Sequence, residues 1–142
     1  DVEVQFEFFV PLAQAADSLR EVAAEATTWE PGLALYSELR VVAADELWLS
    51  PTTVRGGDSL AIAFGMDKHR EAGALAAAAA LERRLARFDA RPHWGKLTSL
   101  SPADVESRFG DGLRRFRELR HELDPRRKFC NEWARRYVLG EV

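Results

Sequence analysis

Residues 59–66 read Ser-Leu-Ala-Ile-Ala-Phe-Gly-Met, and their strict alternation is the strongest constraint on what this chain can become. In a strand, Leu60, Ile62, Phe64 and Met66 project to one side and Ser59, Ala61, Ala63 and Gly65 to the other. One face is large and apolar, and the other is unusually small. The start of the chain makes the same demand, since Val2, Val4, Phe6, Phe8 and Val10 share a strand face. Pro11 then ends that strand, because it offers no N–H to a ladder, and its fixed φ suits the first turn of a helix.

Helices can supply the cover that these apolar faces require. From Leu12 the apolar residues Ala15, Ala16, Leu19, Val22, Ala23 and Ala26 recur at helical spacing until Glu30-Pro31-Gly32 breaks the pattern. The alanine-rich run 71–88 favours helix strongly, with Leu81, Leu85 and Phe88 as its core stripe. Ser101-Pro102-Ala103-Asp104 combines an N-cap, a first-turn proline and an acid near the positive helix end. Val105, Phe109, Leu113, Phe116 and Leu123 carry an apolar stripe from there to Asp124-Pro125, and a last short helix is predicted over 128–138. Between these helices, 33–43 reads as extended, Leu47-Trp48-Leu49 as a short strand, 51–58 with Gly56-Gly57 as a turn-rich loop, and 91–97 as a short extended segment. The order β-α-β-β-β-α-β-α-α predicts an α+β fold: a mostly antiparallel sheet with helices packed on one face, a ferredoxin-like two-layer sandwich.

The length of 142 residues fits a single domain over 1–142. Its abrupt start on an alternating strand is what a domain cut from a longer polypeptide would show. Cys130 is the one cysteine, so no internal disulfide exists, the cytoplasm is the expected compartment, and a buried structural thiol is expected rather than a reactive one. The net charge of −3 gives no global positive field for nucleic acid. Between Arg108 and Arg136, however, ten basic residues stand against five acidic ones, either a solvated helix face or a docking surface for an acidic partner. No window approaches the ~18 apolar residues of a membrane span, and the start lacks the basic-then-apolar pattern of a leader. Neither nucleic acid nor membrane is an expected partner.

The chain has no G-x-G-x-x-G, no Walker loop, no G-x-S-x-G and no zinc-like cysteine pair. His69, His93 and His121 are scattered, so no metal site is expected. Two constellations remain. In Tyr36-Ser37-Glu38-Leu39-Arg40, strand periodicity puts Glu38 and Arg40 on one face. They could pair with each other, or together bind a polyhydroxylated ligand, since one only accepts and the other only donates. The second is Arg91-Pro92-His93-Trp94-Gly95-Lys96. If extended, it sends Trp94 and Lys96 to one side and His93 to the other, with Gly95 allowing close approach of a backbone or a flat ring. Trp94 could equally be core and Lys96 solvated.

That second run, followed by Phe116-Arg117-Glu118-Leu119-Arg120 and by Leu123-Asp124-Pro125-Arg126-Arg127-Lys128-Phe129-Cys130-Asn131, resembles the closing signature of sugar-1,4-lactone and alditol oxidases, flavoproteins of the vanillyl-alcohol-oxidase type. Phe8-Phe9-Val10-Pro11, Ser37-Glu38-Leu39-Arg40 and Asp45-Glu46-Leu47-Trp48-Leu49-Ser50-Pro51 are similar to the alditol (xylitol) oxidase branch. The resemblance covers essentially the whole chain. It implies the C-terminal, substrate-side domain of an enzyme whose FAD is held mainly by an N-terminal domain that this sequence lacks. It implies further that Glu38, Arg40 and Lys96 hydrogen-bond a sugar-alcohol substrate, with Arg40 and Lys96 at the reacting centre and Arg40 stabilising a developing alkoxide. His93 and Trp94 would lie near the flavin. The implied reaction passes hydride from a carbinol carbon to FAD, with oxygen as final acceptor giving hydrogen peroxide. One departure stands out. Alditol oxidases carry Phe-Thr-Trp where this chain has Phe64-Gly65-Met66, which implies a lost polar contact and gained room and leaves the preferred polyol open.

By this reading the fragment alone is inactive, with the missing FAD-binding domain and the sugar alcohol as its partners. The rival from another class is a non-catalytic ferredoxin-like regulatory module that binds a small molecule through Glu38 and Arg40. An interaction domain using the basic C-terminal helices is a third possibility.

Overall fold

The computed structural model describes residues 3–53 and 57–141. Val2 and Gly56, assigned above to the first strand and to a turn, lie outside the described residues. Four strands form one sheet: β1 (Glu3–Pro11), β2 (Ala34–Val42), β3 (Ser59–Asp67) and β4 (Arg91–Pro92). Their order is β2-β3-β1-β4, and each neighbouring pair is antiparallel. Helix α1 (Ala15–Ala26) joins β1 to β2, and α2 (Glu71–Leu85) joins β3 to β4. Each β-α-β unit skips one strand position, which a strand of the other unit fills. This is the expected α+β fold with split-βαβ, ferredoxin-like connectivity.

The alternation places the core as the sequence requires. Phe6, Phe8 and Val10 of β1 and Leu60, Ile62, Phe64 and Met66 of β3 are buried against Val22 of α1 and against Ala74, Ala77, Ala78, Leu81 and Leu85 of α2. The alanines let α2 sit close to the sheet. Arg84 ties the two helices together, donating to Glu25 at 2.7 Å and to Glu21 at 3.0 Å.

A second, smaller core lies beyond the β4 edge. Helix α3 (Pro102–Leu123) starts with the predicted cap, in which Asp104 N–H donates to Ser101 Oγ at 3.2 Å and Ser101 N–H to Asp104 Oδ2 at 2.9 Å. Its Val105, Phe109 and Leu113 meet Leu100, Val138, Trp94 and Leu49. The helix kinks at Gly110, whose φ of 41° favours glycine. At Gly112, a Cβ would fall well inside contact distance of the Trp48 carbonyl oxygen. Residues 43–53 thus reach from the end of β2 to the flank of α3.

Four local expectations are corrected. Leu47-Trp48-Leu49 forms no strand; the one pairing of this segment is an isolated bridge between Asp45 and Thr53. Asp45 instead gathers the loop, its Oδ1 accepting from Leu47 N–H at 2.9 Å and its Oδ2 from the hydroxyls of Ser50 at 2.6 Å and Thr52 at 2.8 Å. Such local bonds compete directly with a ladder. Leu123 leaves the α3 stripe and is 72% exposed. The last helix begins later than predicted, as a π-helical turn over Ala134–Val138, because Asp124 caps the turn after α3 by accepting from the N–H groups of Lys128 at 2.7 Å and Phe129 at 3.0 Å. Cys130 sits in that turn, half-buried and outside both cores.

Candidate functional site

The sheet face turned away from α1 and α2 carries the polar residues of β1 and β2, and β3 between them contributes only small ones. Register puts Tyr36, Gly65 and Gln5 in one rank, Glu38, Ala63 and Glu7 in the next, and Arg40, Ala61 and Phe9 in a third. With nothing larger than a methyl group on β3, long side chains from its two neighbours meet across it. Arg40 Nη2 donates to Glu7 Oε1 at 2.7 Å, and Gln5 Nε2 donates to Tyr36 Oη at 2.7 Å. The small face of residues 59–65 is therefore the floor of a trough whose polar walls close over it, leaving Ala61 and Ala63 buried.

Glu7 is its centre. The side chain is 1% exposed, with Arg40 on one oxygen and Lys96 Nζ on the other at 2.6 Å. Glu38 extends the chain of charges, its Oε1 lying 3.1 Å from Arg40 Nε. Glu38 and Arg40 do pair, as same-face strand neighbours can, but within a network of two carboxylates and two cations. A buried carboxylate is tolerable when both oxygens are matched by cations. Arg40 is 51% exposed at its side chain and Lys96 19%, so each keeps part of its surface at the trough. A guanidinium has five N–H groups and an ammonium three, more than Glu7 and Glu38 use.

Lys96 arrives by a route that an extended reading of 91–97 misses. His93 N–H donates to Glu7 O at 2.9 Å and Leu97 N–H to Gln5 O at 2.9 Å. The chain thus spends four residues opposite two of β1. The surplus loops out and closes with Lys96 N–H donating to His93 O at 3.2 Å. Trp94 and Lys96 accordingly part company. Trp94 packs on Phe109 with ring centroids 4.4 Å apart, edge-on to Trp133 at 5.6 Å, and its indole N–H donates to Leu49 O at 2.6 Å. The ring of His93 stacks on Phe9 at 6.4 Å. Its Nδ1 accepts from Gly95 N–H at 3.0 Å, which makes Nε2 the protonated nitrogen of the neutral ring. Beside this loop an open groove of about 1000 Å³ is lined by Gln5, His93, Trp94, Gly95, Lys96 and Trp133, among others.

The room expected at Gly65 is occupied. The Tyr36 ring lies where a Cβ at Gly65 would go, its Cε1 and Cζ well inside contact distance of that position. Tyr36 Oη donates to Glu3 Oε1 at 3.0 Å. Loss of hydration first, and then the hydrogen bond and charge of Glu3, hold the phenol above its ordinary pKa; it stays protonated and neutral. Sequence reasoning singled out Glu38, Arg40 and Lys96, which the fold brings together, and missed Glu7, Tyr36 and Gln5. Among the described residues, no group of three or more His, Cys, Asp or Glu is placed to hold a metal ion, and no helix is long and apolar enough to cross a membrane.

Fold and site together define the class: a ferredoxin-like α+β domain that presents preoriented donors and acceptors on its helix-free face. The sequence narrows it further. A family model described as D-arabinono-1,4-lactone oxidase matches residues 3–137, and the chain belongs to that family. It is 41% identical to the alditol oxidase of a Streptomyces species over 138 residues, 97% of this chain and 32% of that protein. To the L-gulono-1,4-lactone dehydrogenase of Mycobacterium tuberculosis it is 30% identical over 96% of this chain and 30% of that protein. The chain thus spans about a third of the length of the curated relatives it matches.

Proposed function

We propose that this chain is the substrate-side domain of an FAD-dependent oxidase acting on a sugar alcohol or a related sugar lactone. The observation that carries the reading is the buried Glu7, which fixes Arg40 and Lys96 as a pair of cationic donors over a floor of small residues. Desolvating a polyol is costly unless each hydroxyl regains a partner. Glu38 accepts, Arg40 and Lys96 donate, and the network is anchored before substrate arrives, so little reorganisation accompanies binding. As the carbinol O–H proton passes to water, the nearby positive charges of Arg40 and Lys96 stabilise the negative charge that grows on oxygen.

The residues that would lie near the flavin are those of the open groove beside Lys96, His93 and Trp94 among them. Trp94 lines the same groove, held there by Phe109 and by its bond to Leu49 O. With no glycine-rich phosphate loop in the chain, the pyrophosphate belongs to another part of the enzyme. When bound, FAD supplies the acceptor for the hydride leaving the carbinol carbon and passes the electrons to oxygen, giving hydrogen peroxide.

The test is oxygen uptake by the full-length polypeptide, wild type and Arg40→Ala, with xylitol, sorbitol and a sugar lactone. Removing one preoriented donor from a developing oxyanion costs about 10²–10³ in kcat, with the flavin still bound. Full activity in Arg40→Ala, or a full-length protein without flavin, would refute the assignment.

A further inference from the structure

Resting on the reading of this face as a polyol site, we propose that Tyr36 is a specificity-determining residue: seated on Gly65, its ring forms a wall that limits the length of alditol accepted, and its hydroxyl is a further hydrogen-bond partner for the substrate. Three observations converge on it. Tyr36 shares the β2 face of Glu38 and Arg40, one rank beyond Glu38. Ranks two residues apart along a strand are ~7 Å apart, so the phenol lies about one substrate length from the charged network. Second, the ring has its place only because residue 65 lacks a Cβ; tyrosine and glycine form one unit across two strands. Third, the ring is held without being hidden. Its hydroxyl donates to Glu3 at 3.0 Å and accepts from Gln5 at 2.7 Å, and Gln5 also donates to Glu3 at 2.5 Å. The residue nevertheless remains 43% exposed. A phenolic oxygen has a second lone pair, which can accept from a ligand hydroxyl.

The experiment uses the full-length flavoprotein and a ladder of alditols of four, five and six carbons. It measures kcat and KM for each, and alditol-induced thermal stabilisation as a readout independent of turnover. Tyr36→Ala removes the wall, so kcat/KM for the six-carbon relative to the four-carbon alditol rises about tenfold or more. Tyr36→Phe keeps the wall and removes the hydroxyl; the length preference stays, while KM for the alditols that reach it rises about tenfold, the value of one polar contact. Gly65→Ala displaces the ring and moves the ratio in the direction of Tyr36→Ala, and the double variant moves it no further. An active wild type whose length ratio is unchanged in Tyr36→Ala, in turnover and in thermal stabilisation alike, would overturn the role of Tyr36 and leave the polyol site standing. A flavin-loaded wild type inert toward every alditol and lactone would overturn the polyol site and this inference with it.

Discussion

Glu7 is the residue at which stability and the proposed chemistry meet. Lys96 is largely buried, and truncating the partner of a buried charge costs about 3–5 kcal/mol. Arg40 is half exposed and contributes little by comparison, because water screens it. Glu7→Gln is therefore expected near the low end, ~3 kcal/mol, or roughly 10 °C in Tm for a domain of this size; circular-dichroism melts of the chain measure it. A merely structural loss would stop there. In the holoenzyme, however, Arg40 and Lys96 lose their fixed orientation, so kcat falls more than KM rises, and Glu7→Asp recovers part of the turnover. Recovery of stability in Glu7→Asp without recovery of kcat would argue against positioning. Glu7 was hard to read from the sequence because it follows Glu3 and Gln5 on the polar side of an alternating strand, which looks like a face turned to solvent. Two signals were present: Phe9 on that same face, and the cleared strip of Ala61, Ala63 and Gly65. A small-residue face on a central strand means that neighbours will reach across it, and such a crossing is where a buried charge can be matched.

At the scale of elements, legibility followed the source of each element's stability. β1, β3, α1 and α2 are fixed by burial of periodic apolar faces, so periodicity located them. Residues 43–53 are fixed by the carboxylate of Asp45; of Leu47-Trp48-Leu49 only Leu49 packs against the α3 core, while Leu47 and Trp48 stay exposed, so their apolar run suggested a strand that does not form. The loop of residues 93–97 is a surplus against β1, invisible without knowing the partner's register. Carboxylates also give the second core its own pH response. Although desolvation pulls the other way, the bonds from Ser50, Leu47 and Thr52 hold Asp45 below its ordinary pKa. Asp104 is lowered by its bonds from Ser101, and Asp124 by the backbone N–H groups of Phe129 and Lys128. A carboxylate lowered by folding stabilises fully above its unfolded pKa of ~3.9 and loses that contribution as pH falls through the lower folded value. All three acids serve residues 43–53 and the two ends of α3. Below about pH 4 this half should open first, seen as hydrogen exchange rising at 43–53 and at the α3 termini while β1 and β3 stay protected. Simultaneous loss of protection in both halves would show that the two cores melt as one.

At the scale of the molecule, one sheet faces two ways. Its helix side is a closed core, whereas the other side holds charged and hydrogen-bonding groups in fixed positions with only partial cover. The family match secures the kinship, and the proposed function assigns this face to holding and orienting substrate and the electron acceptor to another part of the enzyme. The sequence carries no glycine-rich phosphate loop, and in the proposed reading the contacts to a flavin are limited to the groove of His93, Trp94, Gly95 and Lys96. Burial of one edge of a cofactor cannot offset the freedom lost on binding, which is put at roughly 4–15 kcal/mol. The purified 142-residue chain is thus expected to fold yet emerge colourless from gel filtration after incubation with excess FAD, and to take up no oxygen with any alditol. A chain that retained flavin absorbance through the column would mean that the groove is a complete cofactor site, and the division of labour inferred from Glu7, Arg40 and Lys96 would have to be redrawn.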